Sequence, residues 1–232
     1  IDVTERTQRE QLRREFTSNV SHELKTPLTS ILGFAEIMKA GGAPEETVKE
    51  FSGIIYDEAK RLVTLVSDII KISELDENAV PHDAEKVDLY KAAESAAQRL
   101  APEAKKKNVT VSVIGDSVSI SGSSKVIDEM IYNLCDNAIK YNKDGGSVDI
   151  IVNTTDKKVN LTVRDTGIGI PAADRDRVFE RFYRVDKSHS KEVGGTGLGL
   201  SIVKHGAMFH NAEISLKSTL GEGTSITVSF NR

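Results

Sequence analysis

Apolar residues recur at Phe16, Val20, Leu24, Leu28, Ile31, Ala35 and Met38, in steps of three and four. That spacing is the buried stripe of an amphipathic helix. It predicts a long helix over about residues 7–39, ended by Gly41-Gly42. Pro44 with Glu45 and Glu46 predicts the next helix start, since acids suit the positive end of the helix dipole. The second helix carries Val48, Phe51, Ile55, Leu62, Leu65, Ile69 and Ile72, and Ile54, Val66 and Ile70 widen the stripe. Glu58 occupies one slot where an apolar residue is expected. Two helices cannot enclose so broad a face, and a bundle needs two more, most simply from a second copy. The pattern therefore predicts a homodimeric four-helix bundle over residues 7 to about 76. A hairpin packed on the downstream region is the rival, and the long continuous stripe favours the dimer.

Residues 76–83 are polar and contain Pro81, which reads as a linker with His82 an ordinary exposed loop residue. A second domain is expected from Glu85, with Asp88 capping a helix over residues 89–107. Residues 109–114 and 118–121 read as a hairpin, followed by a helix over 123–141 with Ser123 or Ser124 as cap. Residues 148–154 and 159–164 alternate as strands about a turn at Asp156-Lys157. A helix over 196–209 and strands over 212–218 and 224–230 close the chain. Helices on one face of a mixed, mostly antiparallel sheet make an α+β sandwich.

Composition narrows the class. In 232 residues, 38% are hydrophobic and 28% charged, enough apolar material for a sizeable core. A net charge of −4 supplies no basic field, so nucleic acid is not an expected partner. The single Cys135 precludes an internal disulfide framework, fits a reducing cytoplasm and lies in an apolar helical pattern suited to burial. No run of about 18 apolar residues and no signal peptide is visible. The chain opens on Ile1 rather than Met, so a fragment of a longer protein is expected.

Two regions carry candidate chemistry. At 100° per residue, His22 falls opposite the apolar stripe of the first helix. Glu23 follows it, Thr26 lies one turn on, and Pro27 removes an N–H from the helix interior, which should bend the helix just past His22. A lone exposed histidine is ordinarily just solvated; these neighbours at these spacings mark a site that is approached.

The second region consists of four patches. Asn133 and Asn137 stand i, i+4 on one helix face with Lys140 a turn beyond; amide oxygens can ligate Mg²⁺ and a lysine can meet phosphate. Asp165-Thr166-Gly167-Ile168-Gly169 follows a strand, where a carboxylate can accept from an exocyclic amine and glycines admit a planar ligand. Phe179 to Arg184 offers an arginine for phosphate. Gly194-Gly195-Thr196-Gly197-Leu198-Gly199-Leu200 leads into a helix whose N-terminal amides can face phosphate, though no Gly-Lys-Ser/Thr of a P-loop follows. The polar stretch between Gly169 and Gly195 could form a lid. Each patch alone is compatible with an ordinary turn or solvated face.

Together they resemble a known family. SHELKTPL, at residues 21–28, resembles the phosphoacceptor box of sensor histidine kinases, and the four patches resemble, in order, the N, G1, F and G2 boxes of their catalytic domain. That resemblance implies a dimeric helical bundle followed by the ATP-binding α+β sandwich of the GHKL (Bergerat) type, shared with gyrase, chaperone and mismatch-repair ATPases. It implies a division into residues 1–15 (signalling helix), 16–78 (dimerisation and phosphotransfer), 79–84 (linker) and 85–232 (catalytic). IDVTER at the start resembles the closing strand of a PAS sensor domain. The implied cofactors are ATP and Mg²⁺, with His22, Glu23 and Thr26 catalytic and Asn133 and Asn137 on the metal. Lys140, Tyr141, Asp165, Gly167, Gly169, Arg184, Gly195, Thr196, Gly197, Leu198 and Gly199 are implied around the nucleotide. The implied partner is a response-regulator receiver domain, and the implied parent is a membrane-anchored bacterial protein with this part facing the cytoplasm. Asn133 stands where the water-splitting relatives resemble one another in having a glutamate, which points away from simple ATP hydrolysis. The family often has glycines where Asn211-Ala212 stand and an arginine where Lys25 stands. A GHKL-type hydrolysing machine, a non-catalytic docking module and a protein acting mainly as phosphatase are the alternatives.

Overall fold

The computed structural model describes residues 3–76, 85–155, 157–186 and 195–232, with backbone alone at 3–10, 12 and 13. Expectations for the linker, His82, the turn residue Asp156 and residues 187–194 of the lid fall outside the described residues. The chain divides into two compact units, Ile1–Ile69 and Ile70–Arg232.

The first unit is a helical hairpin. Helix α1 spans Val3–Ala40 without interruption at Pro27, and α2 spans Glu45–Asp76. Over IDVTER, Val3 to Arg6 belong to α1 rather than to the expected strand, and residues 1 and 2 lie outside the described residues. Gly41 and Gly42 both take positive φ and end α1, as their freedom from a Cβ permits. Phe34 and Phe51 join the helices, ring centroids 4.8 Å apart. Pro27 is buried, so its ring packs as well as removing a donor. Much of the apolar stripe has no cover within the hairpin. Leu28 is 51% exposed and Val66 44%, because each of two helices offers its neighbour only part of a broad face.

The second unit begins with the last turns of α2. Ile72 and Leu75 are buried, and Lys71 Nζ meets Glu129 Oε2 at 2.8 Å. Strand β1 (Glu85–Asp88) leads directly into α3 (Leu89–Lys106), capped as expected by Asp88, which accepts from the N–H groups of Tyr90 and Lys91. Then come β2 (Thr110–Gly115), β3 (Ser119–Gly122), α4 (Ser124–Lys140), β4 (Ser147–Thr154) and β5 (Lys158–Asp165). After a short 3₁₀ turn, Ala172–Asp174, follow α5 (Gly199–Phe209), β6 (Glu213–Thr219) and β7 (Gly223–Asn231).

The expected hairpin between residues 109–114 and 118–121 is overturned. β2 runs parallel to β4, and β3 pairs antiparallel with β1. The connection at 116–118 is pulled toward β1, where Ser117 donates to the Asp88 carboxylate and the Leu89 N–H to the Val118 carbonyl. The main sheet has the order β2-β4-β5-β7-β6. Alternate residues of its central strands are buried: Val148, Ile150 and Val152, then Val159, Leu161 and Val163, then Ile226, Val228 and Phe230. Helices α3, α4 and α5 pack side by side over that face. The other face is polar, with Thr162 hydrogen-bonded to Thr227 and Arg164 paired to Asp149. This is the anticipated α+β sandwich. Cys135 is fully buried in it, its thiol pushed up to about 12 by desolvation. Among the described residues no helix is long and apolar enough to cross a membrane.

Candidate functional site

In the hairpin, His22 is exposed on α1, on the side its helical phase dictates. Glu23 is half-buried and faces α2, its Oε2 3.6 Å from Nη2 of Arg61. The Thr26 hydroxyl donates to the His22 carbonyl at 3.2 Å, so it is turned back on the helix. Arg61 was not among the expected residues. Its signal was Glu58, three positions earlier, breaking the apolar repeat.

The other expected residues gather in the second unit around the end of α4, the start of α5 and the turn after β5. Asn133 donates from Nδ2 to the Glu129 carbonyl at 2.8 Å, which turns its Oδ1 toward α5. A Cβ placed on Gly199, the first residue of α5, would stand 2.9 Å from that oxygen and 3.5 Å from Asn137 Nδ2. Both amides therefore face the helix N-terminus, where unpaired N–H groups favour anions. A hard cation takes oxygen ligands and keeps most of its water, and an outward amide oxygen on this face fits one. Among the described residues no group of three His, Cys, Asp or Glu side chains could hold a metal.

Asp165 ends β5. Its Oδ1 accepts from the N–H groups of Gly167 at 2.8 Å and Thr224 at 3.1 Å. Burial pushes its carboxyl up, and those two bonds pull it down. With Oδ1 occupied, Oδ2 is the atom left to accept from a ligand amine. Gly167 lies against the Tyr141 carbonyl so closely that a Cβ would collide with it, and Ile168 N–H donates to the same carbonyl at 3.0 Å. Gly169 sits over Thr219. The buried Asn142, absent from the expectations, braces this corner. It donates to the carbonyls of Ala138 and Ser147, both at 3.0 Å, and accepts from Thr166.

The remaining residues close the site from the far side. The Phe182 N–H donates to the Gly197 carbonyl at 2.9 Å, which brings the Phe179–Arg184 segment onto the glycine-rich turn. Arg184 is half-buried there. The Tyr141 hydroxyl lies 3.3 Å from a Cβ built on Gly195. Thr196 is buried, and its hydroxyl accepts from the Leu198 N–H at 3.3 Å. Leu198 is 0% exposed, so its side chain belongs to the core, and its N–H donates to the Thr196 hydroxyl. Lys140 is not an open cation: its Nζ is 2.6 Å from Asp136 Oδ2, a turn back on the same helix.

Below the glycine-rich turn, Arg181 Nη2 reaches Asp76, at the end of α2, at 2.6 and 2.7 Å, and His205 Nε2 at 2.7 Å. His205 Nδ1 lies 2.7 Å from the Ser201 carbonyl, and its Nε2 lies 3.1 Å from Asp76 Oδ1. Desolvation raises the Asp76 carboxyl, but the bonds from His205 and Arg181 outweigh it, and the group lies below its ordinary 3.8.

A helical hairpin displaying a histidine, ahead of a lobe in which two amides face a helix N-terminus and a half-buried carboxylate ends a strand, defines a class of ATP-dependent phosphotransfer proteins. The comparisons with known proteins agree. Residues 12–78 match the His Kinase A (phospho-acceptor) domain, and residues 122–232 match the histidine kinase-, DNA gyrase B- and HSP90-like ATPase domain. The sensor-like histidine kinase SenX3 of Mycolicibacterium smegmatis is 37% identical over 232 residues, 99% of this chain and 60% of that protein. The sensor protein kinase WalK of Staphylococcus saprophyticus is 35% identical, over 99% of this chain and 38% of its own length. A crystal structure of the histidine kinase ThkA in complex with the response regulator TrrA superposes with a TM-score of 0.77 at 23% identity, covering 97% of this chain and 64% of that one, a likeness of fold. The chain belongs to the sensor histidine kinases of two-component systems. It spans between about two fifths and three fifths of the length of these two curated relatives.

Proposed function

We propose that this chain is the catalytic core of a sensor histidine kinase that phosphorylates His22 from ATP and passes the phosphoryl group to an aspartate of a receiver domain. The observation that carries the reading is the pairing of an exposed His22, followed by Glu23, with a lobe in which Asn133, Asn137 and the start of α5 face one another. In this reading Asp165 Oδ2 accepts from the adenine amine. Arg184 and the backbone of residues 195–199 hold the phosphates, and Lys140 adds positive charge damped by Asp136. Asn133 and Asn137 hold Mg²⁺, which supplies charge neutralisation at the phosphates when bound.

One imidazole nitrogen of His22 attacks the γ-phosphorus. The bond from phosphorus to the bridging oxygen breaks, and its electron pair leaves with ADP. Glu23 takes the proton from the other ring nitrogen. Phosphoryl transfer needs mostly alignment and charge neutralisation, so few acid–base groups suffice. Asn133 is a poor activator of water, which directs the γ-phosphoryl group to the histidine. In the reverse sense Thr26 would orient water against a receiver phosphoaspartate, once its hydroxyl leaves the His22 carbonyl. The protein works as a homodimer, which the uncovered stripe of the hairpin supports, and its longer parent is membrane-anchored with this part in the cytoplasm.

Incubation with γ-labelled ATP tests the central step. Wild-type protein should gain acid-labile phosphate and His22→Gln should gain none. Labelling of His22→Gln at the wild-type level would refute the acceptor.

A further inference from the structure

The apolar stripe of α2 is broken by a carboxylate at Glu58, and its Oε2 is buried without a hydrogen bond. A buried acceptor of this kind is costly unless a charge compensates it. The compensating charge is Arg61, one turn on, whose Nη1 lies 3.8 Å from that oxygen. The other arm of the same guanidinium lies 3.6 Å from Oε2 of Glu23, across on α1. All three side chains are largely covered: Arg61 is 18% exposed, Glu58 26% and Glu23 27%.

We infer that Arg61, oriented by Glu58, is a positioning residue that holds Glu23 in place to receive the His22 proton. The inference rests on the reading of Glu23 as proton acceptor. A glutamate beside an exposed histidine has several rotatable bonds and must find the ring N–H at each attempt. A planar, charged fork anchored on the neighbouring helix restricts that search. The separations are those of ion pairs rather than short hydrogen bonds, which leaves the Glu23 carboxylate room to turn toward the imidazole.

The test measures kcat and the ATP KM for phosphohistidine formation in the dimeric chain. Arg61→Met should lower kcat roughly tenfold with the ATP KM unchanged, Arg61→Lys should recover part of the loss, and Glu58→Gln should also slow the step. In a Glu23→Gln background, already slow, Arg61→Met should cost nothing further, since the residue acts through Glu23. An equal loss in both backgrounds, or a wild-type kcat in Arg61→Met, overturns the inference. If Arg61→Met does not fold, Arg61→Lys and Glu58→Gln carry the same cycle. Wild-type kcat in Glu23→Gln alone would remove the underlying reading, and is distinguishable from a slow Glu23→Gln with a normal Arg61→Met.

Discussion

At Gly199 the space for a side chain is taken by the Asn133 amide, 2.9 Å from where a Cβ would stand. The amide is the softer of the two, so Gly199→Ala should push it aside and leave the helix in place. The expected outcome is ATP affinity in the presence of Mg²⁺ lowered about tenfold, near 1.4 kcal/mol, with the far-UV spectrum unchanged; calorimetric titration reads it. Glu58 is the opposite kind of residue, one whose cost is visible in the repeat and whose use is visible only across the hairpin. Asp165 shows a third pattern. Its two backbone bonds converge on one oxygen, so the chain itself selects which oxygen meets a ligand.

The start of α4 depends on a side chain from the far end of α5. Ser123 stands at the cap position, but its hydroxyl makes no capping bond. Instead the Ser123 N–H donates to His210 Nε2 at 3.1 Å, while His210 Nδ1 bonds the Gly206 carbonyl at 2.8 Å. Both ring nitrogens are committed, one as acceptor, so the imidazole must stay neutral. Burial accordingly pushes His210 below its ordinary 6.5, against an upward pull from the Gly206 bond. In the unfolded chain His210 protonates as pH falls through that value, and in the folded chain it resists. The unfolded state then binds more protons and stability declines. The contribution is complete above 6.5 and is lost as pH falls toward the folded pKa. Tm should therefore drop on acidification below 6.5, and His210→Gln should flatten that slope; thermal melts across the range check it. This element was half legible. Asp88 acts as the cap its sequence announced, because its acceptor reaches N–H groups two and three residues on. The cap of α4 was not legible, because its partner lies 87 residues away.

For the whole molecule, the uncovered apolar surface of the hairpin calls for a second copy. Leu28 and Val66 are 51% and 44% exposed, and placing charges on this surface should cost little in one hairpin and much in a bundle. Leu28→Glu with Val66→Glu is expected to give a monomer at micromolar concentration where the wild type sediments as a dimer. The second unit should keep its nucleotide affinity, since its core of α3, α4, α5 and the five-stranded sheet is separate from that face.

What the amino-acid order determined by itself is everything that repeats locally. The stripe at three- and four-residue steps forms the hairpin, strict alternation forms β4, β5 and β7, and helical phase exposes His22. Spacing of i, i+4 put Asn133 and Asn137 on one face, and the glycines appeared where backbone crowds a site. What only the tertiary structure decided is who meets whom across a long loop of chain. It paired β2 with β4 and β3 with β1 in place of the hairpin, bent the Lys140 side chain back to Asp136, and buried Leu198. It also assembled Glu23, Arg61 and Glu58 from two helices. Local patterns fix which face of an element is apolar, but register and partner choice between distant elements follow from which packing buries those faces together.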